Sequence, residues 1–327
     1  MPTFDHAFDW VHRHVEHGPL PTAVLGIATA EGVVAIDAFG SHGGRAASVD
    51  DHYPLFSITK PIVGLAALHL IEQGRLTAET PLAAALPEFG AGRDDVVRLR
   101  HLVSHTSGIV EPPMDAPGLR TLLLAPDRDF AAGTMSRYST IAFEGVAALI
   151  EHASGAPWQR EVTAVGERAD AAGFTFDADA SPHPPGDAAE QGLDYERFAA
   201  LRHPGAGLIG RAADLLAVGS ALLRNDGSLV APVTYEAMLR PLTAGLPKLE
   251  PYVASRGQDW GFTWNLRHSA PGLLAADTFG HGGWAGTEFW ITPSRGVCFV
   301  LLTNVAGGVS RFGIDTDQLH NVVVAVA

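Results

Sequence analysis

The stretch that decides the fold is LFSITKPIVGLAALHLIEQG, residues 55–74. Beyond its first turn it is apolar on nearly every face, which predicts a helix buried in the core and ended by Gly74. Pro61 is tolerated only in the first turn of a helix, so the helix begins close to Ser57. Ser57 and Lys60 are three residues apart and therefore share one face of that turn.

This pair has two interpretations. Ser57 can be a helix cap beside a solvated Lys60, since Ser-x-x-Lys is a short pattern that recurs by chance. Alternatively, Ser57 is a nucleophile, because the positive end of the helix favours developing negative charge. A lysine desolvated against an apolar helix has a lowered pKa and can accept a proton. The pattern alone leaves both interpretations open, and the rest of the chain has to decide.

Strand-like segments occur near both ends of the chain. The segment TAVLGIATAEGVVAIDAFG, residues 22–40, predicts a hairpin with its turn at Glu31-Gly32. It follows an amphipathic helix whose apolar residues are Phe4, Phe8, Val11 and Val15. From Trp260 onward, WGFTWNLR, TEFWITP and GVCFVLLTN are rich in aromatic and β-branched residues, which predicts three more strands.

Between these ends, residues 77–250 alternate short helical runs with loops, of which residues 175–206 are the most loop-like and predict a lid or pocket wall. We therefore predict an α+β fold, in which both termini build one antiparallel sheet with flanking helices. A mostly helical lobe packs beside it, with a cleft between the two. We expect a single catalytic domain over residues 1–327, with an α/β lobe of about 1–55 and 255–327 and a helical lobe of about 56–254.

Composition excludes several classes of protein. Hydrophobic residues make up 46% of the 327 residues and charged residues 18%, as in globular proteins. The net charge of −14 and the lack of a basic cluster argue against a nucleic-acid partner. Neither a signal peptide nor an apolar run of ~18 residues is evident, so we expect a cytoplasmic protein without membrane association. The single cysteine, Cys298, is expected in the core, and His14 and His17 share a helix face without the third ligand that a metal site needs.

Four segments occur in a characteristic order. They are LFSITKPIVGLAALHLIEQGRLTAETPLAAALPEF, VRLRHLVSHTSGI, AAGTMSRYSTIAFEGVAALIEHASG and FGHGGWAGTEFWITPSRGVCFVLLTN. Together they resemble the serine β-lactamase-like superfamily over about residues 20–305, in the branch of class C β-lactamases, D-alanyl-D-alanine carboxypeptidases, D-aminopeptidases and family VIII carboxylesterases. The resemblance implies that Ser57 is the acyl-accepting nucleophile and Lys60 its base partner. His105, in HTSGI, is expected to hydrogen-bond a turn beneath the site rather than to catalyse.

The second family motif, Tyr-x-Asn, is represented by Tyr138-Ser139-Thr140. The resemblance implies that Tyr138 moves a proton between Ser57 and the leaving group, and a nearby lysine ammonium would favour its ionisation. The alternative is a packed tyrosine with no chemical role. Whether Lys60 or Tyr138 is the base stays open, since the pair titrates as a unit. Thr140 replaces the asparagine that contacts the substrate amide in the family, which argues against a β-lactam or peptide substrate.

The third family motif, Lys-Thr-Gly or a variant, is represented by His281-Gly282-Gly283. It is followed by Trp284, expected on an edge strand that faces the cleft, and the glycines let a ligand approach the backbone. The resemblance assigns the oxyanion hole to the backbone N–H groups of Trp284 and Ser57. Because His281 is mostly neutral near pH 7, it binds a substrate carboxylate less well than lysine does, which favours an ester.

These observations predict a cofactor-free serine hydrolase that works through an acyl-enzyme on small or short-chain esters. The alternatives are an acyltransferase of the same fold, a β-lactamase or D-amino-acid peptidase, and a non-catalytic binding relative. The expected partner is a small-molecule ester or amide, and the sequence does not predict an oligomeric state. Those of Trp284, Phe279, Phe289 and Trp264 that face the cleft are expected to give it an apolar wall.

Overall fold

The computed structural model describes residues 3–252, 257–270 and 274–327. Its strands are β1 (Thr22–Thr29), β2 (Gly32–His42), β3 (Arg45–Ala46), β4 (Tyr53–Pro54), β5 (Ile209–Gly210), β6 (Asp259–Trp260), β7 (Asn265–Leu266), β8 (Phe279–Gly282), β9 (Glu288–Thr292) and β10 (Val297–Thr303). Eight of them form one antiparallel sheet in the order β3-β2-β1-β10-β9-β8-β7-β6. β4 and β5 form a separate two-stranded ladder.

Helices cover both faces of the sheet. They are α1 (Asp5–Glu16), α2 (Thr59–Glu72), α3 (Leu99–Val103), α4 (Leu119–Leu123), α5 (Ala142–Ser154), α6 (Trp158–Ala169), α7 (Tyr195–Leu201), α8 (Ala212–Arg224), α9 (Pro232–Met238) and α10 (Asp317–Val324). α1 and α10 pack together on one face, where Trp10 Nε1 donates to Gln318 Oε1 at 3.0 Å. α8 packs on the other face against β1 and β10, between the sheet and the helices of the middle segment.

β10 shows why the sheet is stable at its centre. All seven of its residues are buried, and its side chains alternate between the two cores. Cys298 and Val300 belong to the core on the α8 side, whereas Phe299 and Leu301 belong to the core beneath α1 and α10. A strand covered on both faces is apolar at nearly every position, and in β10 only the last residue, Thr303, is polar. The prediction that Cys298 is a packed core residue is confirmed.

The helix that opens the site forms as its sequence predicts. One 3₁₀ turn, Phe56–Ile58, leads into α2, whose residues from Thr59 to Leu70 are all buried. The chain leaves the helix through Gly74, which has the left-handed φ of +71° that glycine adopts without strain. Within the helix, Gly64 packs against Thr263, since a Cβ atom at position 64 would lie 2.2 Å from Thr263 Oγ1.

The predicted fold class is confirmed. β1–β3 come from the first part of the chain and β6–β10 from the last, and the helices α2–α9 lie between them in sequence. The expected loop at 175–206 is wrong in part, because it contains α7, which Asp194 caps by accepting from Arg197 N at 3.0 Å. Among the described residues, no helix is long and apolar enough to cross a membrane.

The expectation that the third motif lies on an edge strand is wrong. β8, which carries His281, lies between β9 and β7 inside the sheet. β7 is only two residues long, however, and its pairing with β8 covers Phe279 and Gly280. The end of β8 that leads to Trp284 therefore extends beyond its neighbour on that side and borders the cleft.

Candidate active site

Ser57 lies on a strained turn at the entrance of α2. The preceding residue, Phe56, has a left-handed φ of +45°, a conformation that non-glycine residues keep only where the surroundings hold them. Those surroundings are aromatic: the Phe56 ring stacks on Phe198 with centroids 5.0 Å apart and lies 5.2 Å from Trp284. Phe56 is fully buried, whereas Ser57 is partly exposed to the cleft. The turn thus buries the Phe56 side chain and exposes the Ser57 side chain to the cleft.

Lys60 is fully buried directly below Ser57. Its Nζ donates to Ser57 Oγ at 3.1 Å and to the Gly205 carbonyl at 2.8 Å, and it makes a longer contact of 3.4 Å with Thr140 Oγ1. Burial lowers the pKa of Lys60 to about 7, although the Glu111 carboxylate opposes that shift. A lysine that titrates near neutral pH is partly unprotonated there, so it can accept a proton from a hydroxyl.

Glu111 is a site residue that the sequence analysis missed. Glu111 as a whole is exposed, yet its carboxylate group points inward to the start of α5. Oε2 accepts from Ser139 Oγ at 2.9 Å and from the backbone N–H groups of Thr140 at 2.8 Å and Ile141 at 3.2 Å. Burial raises the pKa of Glu111, and the Lys60 cation opposes that shift. The only sequence signal was a lone acidic residue before two prolines, which is too weak to predict this contact.

Tyr138 covers the lysine from the helical lobe. Lys60 Nζ lies 4.7 Å from the centroid of its ring, which packs on His105 at 4.4 Å and Trp260 at 5.6 Å. The hydroxyl is buried and makes no hydrogen bond of ordinary geometry in the described part of the chain, although Ser57 is near enough to lower its pKa. Burial outweighs that effect and raises the pKa of Tyr138 well above its ordinary value. The expected ionisation is therefore wrong, and the phenol stays protonated.

His105 supports the turn that carries Tyr138. Its Nδ1 accepts from Ser139 N at 3.1 Å, and its carbonyl accepts from Arg137 N at 3.0 Å. The residue has a left-handed φ of +58°, and burial lowers the pKa of its ring well below the ordinary value. The prediction that His105 hydrogen-bonds a turn beneath the site is confirmed.

His281 of the third motif is neutral and buried. It is 1% exposed, its Nδ1 donates to the Gly282 carbonyl at 2.7 Å, and burial together with the Lys60 charge lowers its pKa to about 3. Gly283 is needed for close packing, because a Cβ atom there would lie 2.0 Å from Thr287 Oγ1 and 2.5 Å from the Leu55 carbonyl. Thr287 Oγ1 also donates to the Leu55 carbonyl at 3.3 Å, which holds the turn after β8 against the stretch that carries the serine.

The turn between β8 and β9 carries Trp284, which lines the same cleft as Ser57 and whose ring lies against Phe56, the residue before the serine. No acceptor in the described part of the chain binds the backbone N–H of either residue, so both donors are free for a ligand. The Ser57 cleft has a volume of about 450 Å³. Its lining comprises Ser57, Tyr138, Pro251, Tyr252, Gln258, Asn265, Arg267, Gly282, Gly283, Trp284, Gly286, Glu288, Trp290, Gly307, Gly308, Val309, Ser310, Ile314, Asp315, Thr316 and Asp317.

Two residues predicted to bind substrate lie beneath this lining. Thr140 is 6% exposed and contacts Lys60, and His281 is buried beside Tyr138, with ring centroids 6.0 Å apart. A more open depression of about 680 Å³ lies over residues 185–197. We take the smaller Ser57 cleft as the candidate site, because it alone of the two contains the serine with its buried lysine.

The expected apolar wall is only partly made of the expected residues. Phe279, Phe289 and Trp264 are at most 1% exposed and belong to the core on the α8 side of the sheet. Of the four aromatic residues expected there, Trp284 alone lines the cleft, together with other aromatic and apolar residues and with polar and charged side chains such as Arg267. The cleft therefore offers both aromatic and polar side chains to a ligand.

The family comparison agrees with this fold. The family model described as Beta-lactamase matches residues 8–323, and the chain belongs to that family. It is a hydrolase of the β-lactamase superfamily. A curated relative, Esterase EstB of Burkholderia gladioli, is 30% identical over 322 residues, with 80% of each chain covered.

Solved structures show the same fold at lower identity. One is EstCE1, described as a hydrolase with promiscuous acyltransferase activity, with a TM-score of 0.79, 21% identity and 98% of each chain covered. Another is a penicillin-binding protein homologue from Caulobacter crescentus, with a TM-score of 0.78 and 21% identity. It covers 98% of this chain and 96% of its own.

Proposed function

We propose that this protein is a serine carboxylesterase that works through an acyl-enzyme. The observation that carries the proposal is the 3.1 Å contact between Ser57 Oγ and Lys60 Nζ, with the lysine fully buried and its pKa lowered to about 7. Such a lysine is a base at neutral pH for a hydroxyl that it already touches. The likeness to an esterase supports an ester as the substrate.

In the first half-reaction, Ser57 Oγ attacks the ester carbonyl carbon and its proton passes to neutral Lys60. The carbonyl oxygen becomes an oxyanion, which the free N–H groups of Ser57 and Trp284 would stabilise, each worth about 2.7–4 kcal/mol in comparable sites. As the bond to the alkoxide breaks, a proton from Lys60 reaches the leaving oxygen by way of the Tyr138 hydroxyl. In the second half-reaction, water attacks the acyl carbonyl carbon and gives a proton to neutral Lys60; the bond from that carbon to Ser57 Oγ then breaks, and the proton passes from Lys60 to Ser57, which releases the acid.

The protonated state of Tyr138 supports this division of roles. A phenol whose pKa is raised by burial is a poor base, but it can donate to one neighbour while it accepts from another. Lys60 is the member of the pair that changes its charge near pH 7. We therefore assign the base to Lys60 and the proton relay to Tyr138.

A neutral His281 argues for an ester over a β-lactam. With a pKa of about 3 it presents no cation to a substrate carboxylate above pH 5. We expect kcat/KM for p-nitrophenyl butyrate to exceed that for nitrocefin by at least about 10²-fold, roughly 2.7 kcal/mol of transition-state discrimination. The test is to measure kcat/KM for both substrates by steady-state kinetics at pH 7.5. If nitrocefin is the better substrate, the protein is a β-lactamase and the esterase proposal fails.

The acyl-enzyme has its own test. Esters with one acyl group and different leaving groups should divide between water and added methanol in the same ratio, because they share one intermediate. Measuring acid and methyl ester from phenyl, p-nitrophenyl and ethyl butyrate gives that ratio. A ratio that depends on the leaving group would exclude the common intermediate.

A further inference from the structure

Two carboxamide side chains of the Ser57 cleft are only half satisfied. Gln258 and Asn265 line this cleft and are 4% and 5% exposed. Asn265 Nδ2 donates to Gln258 Oε1 at 3.2 Å. In the described part of the chain, Gln258 Nε2 and Asn265 Oδ1 are buried with no hydrogen-bond partner. The pair thus leaves the Gln258 amino group and the Asn265 carbonyl oxygen unused, each on the same carboxamide as an atom of the Nδ2–Oε1 hydrogen bond.

This remainder is the same in the other orientation that keeps the hydrogen bond, in which both carboxamides are turned. If both amides were rotated, Gln258 would donate to Asn265, and the pair would again keep one donor and one acceptor. Buried polar groups without partners are unfavourable, so native proteins retain them where a ligand or an ordered water completes them. The same cleft contains Ser57, so a substrate that binds at the serine would share the cleft with the pair and could complete it.

We propose that Gln258 and Asn265 bind an amide edge of the substrate, that is, an N–H and a C=O on the same side. Primary carboxamides and ring lactams present such an edge, and each would both donate to and accept from the pair. A trans secondary amide places its two groups on opposite sides, and a ketone or ester offers only an acceptor. A carboxylate offers no donor and would leave the unpaired carboxamide oxygen of the pair without a partner. The substrate class is therefore an ester that also carries a carboxamide or lactam, which rests on the proposed esterase function.

Small lactams test the binding site separately from catalysis. We would measure competitive inhibition of p-nitrophenyl butyrate hydrolysis by 2-piperidone, which has the amide edge, and by N-methyl-2-piperidone, which has lost the donor. Ligand-observed NMR of the two lactams with the Ser57→Ala variant gives the same comparison of affinities without turnover. We expect 2-piperidone to bind at least about tenfold more tightly than N-methyl-2-piperidone. The methylated lactam has no N–H, so it would leave the buried carboxamide oxygen of the pair without a donor.

Variants assign that preference to the pair. Gln258→Met, of nearly the same shape, and Asn265→Leu should each reduce the preference to about twofold or less. Gln73→Met, at an exposed position after α2, should leave it unchanged. If one of the two variants of the pair does not fold, which thermal melting would show, the other still tests the proposal.

A panel of esters extends the test to substrates. The p-nitrophenyl esters of 6-amino-6-oxohexanoic, 6-oxoheptanoic and 6-methylheptanoic acids differ only at the far end, which is a carboxamide, a methyl ketone or an isopropyl group. We expect kcat/KM to be at least about tenfold higher for the carboxamide than for the ketone. Equal binding of the two piperidones would overturn the inference, with water then completing the pair. Loss of all ester turnover with the lactam preference intact would instead overturn the esterase proposal alone.

Discussion

Glu111→Gln should move the acid limb of the pH–rate profile to lower pH. Glu111 opposes the effect of burial on Lys60, so removing its charge should lower the pKa of Lys60 below about 7. Lys60 must be neutral to accept the Ser57 proton, and the fraction of neutral lysine rises as pH passes its pKa. A lower pKa therefore gives the variant its full rate at a lower pH than the wild type.

The structure sets the size of this shift. Thr140 links the two charges, with Lys60 Nζ 3.4 Å from its Oγ1 and Glu111 Oε2 2.8 Å from its N. For a separation of about 6 Å across Thr140, a unit charge contributes about 0.7 kcal/mol in bulk water and about 2.8 kcal/mol at an effective dielectric constant of 20. At 1.36 kcal/mol per pKa unit, the expected shift is about 0.5 to 2 pH units.

The assay is kcat/KM for p-nitrophenyl butyrate from pH 5 to 9 at constant ionic strength, with each profile scaled to its own plateau. Glutamine keeps an oxygen that can accept from the start of α5, so the shift reports charge rather than lost structure. Glu88→Gln, which removes an exposed carboxylate elsewhere, is the matched control and should leave the limb in place. An acid limb that stays in place in Glu111→Gln, or moves to higher pH, would refute the assignment of Lys60 as the base.

Three further substitutions test the site and its support. Ser57→Ala should abolish turnover, and intact-protein mass spectrometry should find the acyl or phosphonate adduct on the wild type but not on the variant. Tyr138→Phe removes only a hydroxyl, so the rate should fall about 10²–10⁴-fold with little change in melting temperature; a rate within a few-fold of wild type would make the tyrosine structural. Gly64→Ala should destabilise the protein by about 1–3 kcal/mol in urea unfolding, because its Cβ would meet the Thr263 side chain at 2.2 Å, whereas Gly92→Ala has nothing within 4 Å and should be nearly neutral.

The sequence predicted those features in which the pattern is local. The apolar helix with Pro61 in its first turn located α2, and the serine and lysine three residues apart were found in contact. The strand-rich ends of the chain predicted the sheet, because runs of β-branched and aromatic residues are typical of β-strands. These features need only the period of a helix or strand and the turn chemistry beside it.

Other features depend on distant packing and left no local pattern. Glu111 reaches the start of α5 from 29 residues before Thr140, and Gly205 contributes a backbone carbonyl, a group that every residue has. Three aromatic residues that were expected around the cleft lie in the core, because the register of a strand decides which side of the sheet a residue faces. Phe279 pairs with Ile291 and points into the core, a fact that the alternation of one short strand could not supply.

The pairing of β1 with β10 has a consequence for how the protein is made. Ala23 faces Thr303 and Ala28 faces Cys298, so the middle of the sheet joins parts of the chain about 270–280 residues apart. A ribosome that adds about 5–20 residues per second finishes β1 at least about 13 seconds before β10 exists. For that time the nascent hairpin of β1 and β2 has an open apolar edge, which can pair with another chain. A transcript that ends before β10 would leave that edge open permanently, so its product should be found in the insoluble fraction rather than as a smaller, partly active enzyme.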